Sequence, residues 1–224
     1  MRIDIISAVP QLLKSPLSES ILKRAQEKKL VEIFVHDLRS YAHDKHKIID
    51  LPPYGGGAGM ILKPEPIFEC VEKLQSERSY DDIIYVTADG EAFDQKMAND
   101  LSLKKNMIIL CGHYKGIDQR VREILVTREI SIGDYVLTGG ELAAMVISDA
   151  VIRLIPGAIG DGESALTDSF QDGLLDAPSY TRPPEFRGMK VPEVLRGGNH
   201  KEVSKWKEKQ RKLKTQHRRK DMMQ

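Results

Sequence analysis

The stretch Ser131-Ile-Gly-Asp-Tyr-Val-Leu-Thr-Gly-Gly-Glu141 leads directly into Leu142-Ala-Ala-Met-Val-Ile-Ser-Asp-Ala-Val-Ile-Arg153. The second half is apolar on nearly every side and reads as a buried helix. The residues just before the stretch, Arg128 to Ile132, read as a short strand. Between strand and helix stands a loop with three glycines, Gly133, Gly139 and Gly140. Glycine loses more conformational freedom on folding than any other residue, so three in an ordered loop are costly. They point to a backbone that must come close to something, either another chain segment or a small molecule.

Outward from this loop the same alternation continues. Ile3 to Ser7 reads as a strand ended by Val9-Pro10, and Leu17 to Lys29 has helical spacing. Val31 to Val35 is a strand, and residues 41–59 form a long loop ending in Tyr54-Gly-Gly-Gly-Ala-Gly59. Pro64 opens a helix that runs to about Gln75. Ile83 to Val86 is a buried strand followed by a turn at Asp89-Gly90. A helix covers 94–103, and Met107 to Cys111 is another buried strand. After the loop Gly112 to Gly116, Asp118 caps a helix that reaches Ile124. Strands that alternate with helices and are themselves continuously apolar predict an α/β fold, a mostly parallel sheet with helices on both faces. Ligands of such sheets sit at loops beyond the carboxyl ends of strands. Three loops qualify: Thr87 to Glu91, Cys111 to Gly116, and Ile132 to Gly140.

The chain has 224 residues, 41% hydrophobic and 30% charged, as an ordinary globular protein does. No apolar run approaches the roughly 20 residues needed to span a bilayer. The start, Met1-Arg-Ile-Asp-Ile-Ile6, carries an acid in its apolar stretch and lacks the pattern of a signal peptide. Cys70 and Cys111 form no CxxC pair and read as reduced, buried thiols, which suits a cytoplasmic protein. The net charge of +1 hides an asymmetry: residues 196–224 hold 11 Lys/Arg against 3 Asp/Glu, so the rest of the chain is acidic. A concentrated basic segment on an acidic body points to a polyanion partner. That segment contains a helix from about Lys201 to Leu213 and the chain's one tryptophan, Trp206. After Pro156-Gly157 the residues turn small and polar, as in a linker. The expected division is a ligand-binding domain at 1–157, a flexible linker at 158–172 and a small, basic, mainly helical domain at 173–224.

Several chemistries are disfavoured. No GxxxxGK[ST] is present, and Gly55 to Gly59 lacks the spacing of GxGxxG. The histidines, His36, His43, His46, His113, His200 and His217, form no metal-ligand pattern. No nucleophile elbow marks a Ser-His-Asp site. Asp168 by itself reads as a solvated acid in a polar linker. Arg153 by itself reads as a cation at the negative end of its helix.

Taken together, the motifs carry a resemblance. Cys111-Gly-His-Tyr-Lys-Gly-Ile-Asp118, Glu129 to Glu141, Thr167-Asp-Ser-Phe170, Gly173-Leu-Leu-Asp176, Tyr180-Thr-Arg-Pro183, Val191-Pro192 and Gly198-Asn-His200 occur in order. With Tyr54 to Met60 they resemble the bacterial tRNA (guanine-N1)-methyltransferase family (TrmD) of the SPOUT class, over residues 1 to about 214. The resemblance implies transfer of a methyl group from S-adenosylmethionine to N1 of the guanosine just 3′ of the anticodon. It implies a trefoil knot in the first domain and a homodimer with the active site across its interface. It assigns Asp168 as general base and Arg153 as the cation that steadies developing charge. It assigns the donor to Tyr85, Thr87, Gly112, Tyr114, Gly116, Ile132, Gly133, Asp134, Tyr135, Val136, Leu137, Gly139 and Gly140. It admits magnesium, with no protein ligand assigned. The chain departs from the family pattern at Lys115, where an acid is common, and at Thr87-Ala-Asp-Gly90, Ala58 and Leu51-Pro52. The competing expectations are a knotted methyltransferase for another RNA and a catalytically silent RNA-binding protein.

Overall fold

The computed structural model describes residues 1–160 and 168–223. Contacts divide the chain into two compact units, Met1–Gly160 and Asp161–Gln224.

The first unit is built on five strands: β1 (Arg2–Ser7), β2 (Glu32–Asp37), β5 (Asp82–Ala92), β6 (Asn106–Cys111) and β7 (Arg128–Ser131). They lie in the order β2-β1-β6-β5-β7, and every pairing is parallel. Side chains alternate across the sheet as the pleat demands. Ile3, Ile5, Ile84, Val86, Met107, Ile109, Cys111 and Ile130 fill one face. Ile6, Ile83, Tyr85, Ile108 and Leu110 fill the other. Helices cover both. Against the first face pack α1 (Gln11–Leu17), α2 (Ser20–Glu27), α4 (Gln95–Ser102) and α6 (Glu141–Ile152). Against the second pack α3 (Pro64–Glu77) and α5 (Gln119–Ile124). Pro64 sits at the start of α3, where its missing amide is harmless. The α4 cap is Asp94, whose carboxylate accepts from the Met97 amide at 2.8 Å. The α5 cap is Asp118, which accepts from the Arg120 amide at 3.0 Å.

The structure differs from the sequence reading in four places. The helix expected over 17–29 is the shorter α2, and a helix that the sequence reading missed, α1, precedes it across Ser18-Glu19. Ser18 folds back on the Ser15 carbonyl at 3.0 Å, and Ser20 takes a φ of 52°. The loop expected at 41–59 is interrupted by β3 (Asp50–Leu51), which pairs antiparallel with β4 (Ile61–Leu62) just beyond it. Two-residue strands leave no periodicity to read. The turn expected at Asp89-Gly90 is a bulge instead. β5 continues to Ala92 with a register shift between Val86 and Glu91. Gly90 is small because it lies against β7, where a Cβ would stand 2.6 Å from the Glu129 carbonyl carbon. The fourth difference lies in the second unit, where the helix expected to end near Leu213 runs His200–Arg218. Its last turn is polar all round and carries no apolar signal.

In the second unit a hairpin, β8 (Glu185–Phe186) and β9 (Met189–Lys190), turns through Arg187-Gly188. A short helix, Glu193–Arg196, follows. Residues 168–176 are tied to the long helix. The Thr215 hydroxyl accepts from the Leu175 amide at 2.9 Å, Lys214 donates to the Asp176 carbonyl at 2.8 Å, and Arg211 pairs with Asp172. Residues 161–167 of the expected linker lie outside the described residues. No helix among the described residues is long and apolar enough to cross a membrane.

Candidate active site

β5, β6 and β7 end side by side because β5 pairs in parallel with both neighbours. Loops leaving their carboxyl ends therefore share one rim. A cavity of about 530 Å³ opens among them. Part of its wall is bare backbone. The Gly140 amide donates to the Gly112 carbonyl at 2.8 Å, and an antiparallel bridge joins His113 to Gly139. A Cβ on Gly140 would lie 2.9 Å from the Cα of Cys111 and 3.0 Å from the Gly112 nitrogen. A Cβ on Gly112 would press the Tyr85 hydroxyl at 2.9 Å. Two of the three glycines that first marked residues 131–141, Gly139 and Gly140, are thus where two loops touch through their main chains.

Twelve of the thirteen residues assigned to the donor line this cavity. Tyr85 and Thr87 come from β5. Gly112, Tyr114 and Gly116 follow β6. Ile132, Gly133, Tyr135, Val136, Leu137, Gly139 and Gly140 follow β7. The thirteenth, Asp134, is exposed and stands off the lining, where the chain turns and the Tyr135 amide donates back to Gly133. Val86, Ala88, His113, Lys115 and Thr138 line the cavity too and fall within the expected segments without being singled out, whereas the sequence reading passes over Gly59, Ile130, Ser131 and Ala143. Gly59 had a signal, since it closes the glycine run; its φ is +100°. The others are strand ends and neighbours of assigned residues, reached by the fold rather than by a motif.

Tyr135, Val136 and Leu137 are apolar yet open to solvent, Val136 at 87% exposure. Apolar side chains held at a cavity mouth gain from any ligand that covers them. The bulge of β5 is fastened from outside the cavity. Arg122 donates two hydrogen bonds to Glu129, at 2.7 and 2.6 Å, and a third to Asp89 at 2.9 Å. Asp89 in turn accepts from the Thr87 hydroxyl. The Thr87 hydrogen bond and the Arg122 guanidinium hold the Asp89 carboxyl below its ordinary value. Burial pushes the Tyr85 phenol up, so this ring is a neutral part of the wall. Lys115 is exposed and lies across Gly59, its Cγ 2.7 Å from where a Cβ there would stand.

Neither residue assigned to chemistry belongs to this lining. Arg153 caps the C-terminal end of α6 and lines a second, apolar groove of about 580 Å³ with Pro16, Ile21, Leu22, Met145 and Val146. Asp168 belongs to the second unit and is partly buried. Among the described residues no group of three or more His, Cys, Asp and Glu side chains is gathered as a metal site.

Comparison with known proteins gives the same family throughout. The family profile described as tRNA (Guanine-1)-methyltransferase TrmD matches residues 1–224. The tRNA (guanine-N(1)-)-methyltransferase of Chlorobaculum tepidum is 57% identical over 223 residues, covering 100% of this chain and 97% of that protein. The protein of the same name from Flavobacterium psychrophilum is also 57% identical, covering 100% and 99%. That of Azobacteroides pseudotrichonymphae is 60% identical over 206 residues, covering 92% and 93%. A profile match over the whole chain and identities this high, end to end, leave one conclusion: this chain belongs to the tRNA (guanine-1)-methyltransferase family.

Proposed function

We propose that this protein transfers the methyl group of S-adenosylmethionine to N1 of guanosine 37 of tRNA, the base 3′ of the anticodon. The observation that carries the reading is the glycine-walled cavity at the ends of β5, β6 and β7. Its backbone walls, apolar lining and volume fit a nucleoside donor. When bound, S-adenosylmethionine supplies an electrophilic methyl on a sulfonium. The residues of this chain do the rest. Gly112, Gly139 and Gly140 let the main chain approach the donor. Tyr85, Ile132 and Leu137 pack against it and exclude water, which keeps the methyl in line with its target.

Guanine N1 carries a proton at neutral pH, and its lone pair is free to attack only when that proton leaves. Asp168 takes it as general base. Negative charge then grows toward O6, and the Arg153 guanidinium steadies it. In this reading the two side chains meet across a homodimer. The groove between α2 and α6 supports it: Leu142 and Val146 of α6 are exposed, and Arg153 stands at the same groove. A second copy would cover that apolar strip.

The backbone contacts between the loop at 112–116 and the loop at 131–140 support a trefoil knot at this end of the sheet. The first unit binds the donor, the residues around 158–172 link the units, and the basic second unit holds tRNA. Its long helix exposes Lys201, Lys205, Lys207, Lys209, Lys212 and Arg218, which suit a phosphate backbone. The protein acts in the cytoplasm, where its tRNA is. Magnesium has no fitting donor set among the described residues, and Lys115 stands at the cavity where the family often has an acid.

The test is transfer from labelled S-adenosylmethionine to tRNA transcripts with guanosine or another base at this position. Transfer that ignores the base would point to another RNA target, and no transfer to any RNA would leave a binding protein. Asp168→Ala is expected to reduce turnover at least a hundredfold while donor binding persists. Near-normal turnover in that variant would remove Asp168 from the role of base.

A further inference from the structure

Three acidic side chains are buried among the described residues: Asp4 at 0%, Asp82 at 6% and Glu141 at 1% exposure. Two have cations against them. Asp4 accepts two hydrogen bonds from Arg2 and meets His36 at 2.7 Å. Asp82 meets Arg128 at 3.2 Å and Lys104 at 3.8 Å. Glu141 is different. Its Oε1 accepts from the Ser7 hydroxyl at 2.6 Å, and its Oε2 has no hydrogen-bond partner among the described residues. A carboxylate buried without a cation is costly. Breaches of this kind concentrate at functional positions.

The position of Glu141 suggests the function. Its Oε2 lies 2.4 Å from where a Cβ on Gly139 would stand. Gly139 lines the donor cavity, so the carboxylate stands directly behind the wall, and the glycine leaves that space open. The Nδ1 of His113, also buried without a partner, lies 2.6 Å from the same point.

We propose that Glu141 is the residue by which the cavity tells the charged methyl donor from its uncharged product. This rests on reading the cavity as the donor site. The donor sulfur carries three carbons and a positive charge. On transfer, the sulfur–methyl bond breaks, its electron pair stays on sulfur, and the methyl bonds to guanine N1. The remaining thioether is neutral. Donor and product share every other group, so shape separates them weakly, and charge separates them well. A buried carboxylate acts through a medium of low dielectric, where its field reaches further than in water. The other titratable side chains at this part of the wall are His113, Lys115, Tyr85, Tyr114, Tyr135 and, behind it, Cys111; burial pushes the Cys111 thiol and the Tyr85 phenol up, which keeps both neutral. Lys115 is exposed, and solvent screens it. The consequence is a cavity that attracts donor and releases product.

Glu141→Gln removes the charge and keeps the volume and an oxygen for the Ser7 hydroxyl. Calorimetric titration of the full-length wild type and variant with S-adenosylmethionine and with the thioether product reads the effect. The ratio of product Kd to donor Kd is expected to fall about tenfold in the variant, through weaker donor binding, with product binding within twofold of wild type. The same ratio in both proteins would overturn the proposal. If neither ligand binds the wild type, the donor-site reading fails and the proposal with it. If the variant does not fold, the wild type answers alone: a protonated amine analogue of the donor must bind about tenfold better than its neutral carbon isostere. Equal binding overturns the proposal.

Discussion

Gly140 shows what one residue can decide. An added Cβ would stand 2.5 Å from the Val86 Cγ2 and 2.9 Å from the Cα of Cys111. The second neighbour is main chain and cannot swing aside. Gly140→Ala is therefore expected to cost about 3 kcal/mol and to abolish donor binding, read by thermal unfolding and calorimetry. Gly55 is the control. It has open space around it and only its φ of +84° to lose, so Gly55→Ala should cost about 1 kcal/mol and leave the donor site intact. Asp4 makes a prediction about acid. Burial by itself would push its carboxyl up, but hydrogen bonds from His36, Arg2 and Tyr80 overcome this and hold it at about 2. A carboxyl lower in the folded than in the unfolded chain stabilises the fold above its unfolded value and loses that stability as pH falls through the folded one. Urea unfolding from pH 5 to pH 2 should show a loss of roughly 2 kcal/mol between about pH 4 and pH 2. Asp4→Asn should lack that acid limb. The Asp4 cluster could not be read from the sequence, because Arg2, His36 and Tyr80 meet only through the pairing of β1 with β2 and the loop before β5.

At the scale of elements, legibility followed pattern length. β1, β6 and α6 are long and apolar, and their expected bounds match the structure to within a residue or two. β3 and β4 are two residues each and are defined by their partner alone. The extension of β5 past Val86 was hidden for another reason. Thr87-Ala-Asp-Gly90 is turn-like in composition, and it is held in the sheet by β7 and by Arg122, neither of which is local. This fastening is testable. Arg122 and its two acids are partly exposed, so the cluster is worth about 1 kcal/mol rather than more. Arg122→Ala is expected to weaken donor binding about fivefold by loosening Thr87 and Ala88, with tRNA affinity unchanged. Equal loss of both affinities would mean a general defect of folding.

Over the whole molecule, charge is divided as the chain is. The acidic body holds the cavity, and the basic helix His200–Arg218 lies in the second unit. Raising salt should weaken tRNA binding steeply, with a log–log slope of several, and leave donor binding nearly flat. Parallel slopes would place the tRNA contacts outside the basic helix. Three loops at one end of a sheet were legible from periodicity, and so was a polyanion partner from charge. The proposed knot would leave no local signature, and neither would the proposed meeting of Arg153 with Asp168 of a second copy. The hydrogen bond from Ser7 to Glu141 joins residues 134 apart. A ribosome adding about 5–20 residues each second needs roughly seven to twenty-seven seconds to make the second partner after the first. Throughout that interval the nascent chain has the first strand without α6, so a message truncated before codon 141 is expected to yield a polypeptide that cannot complete the core of its first unit.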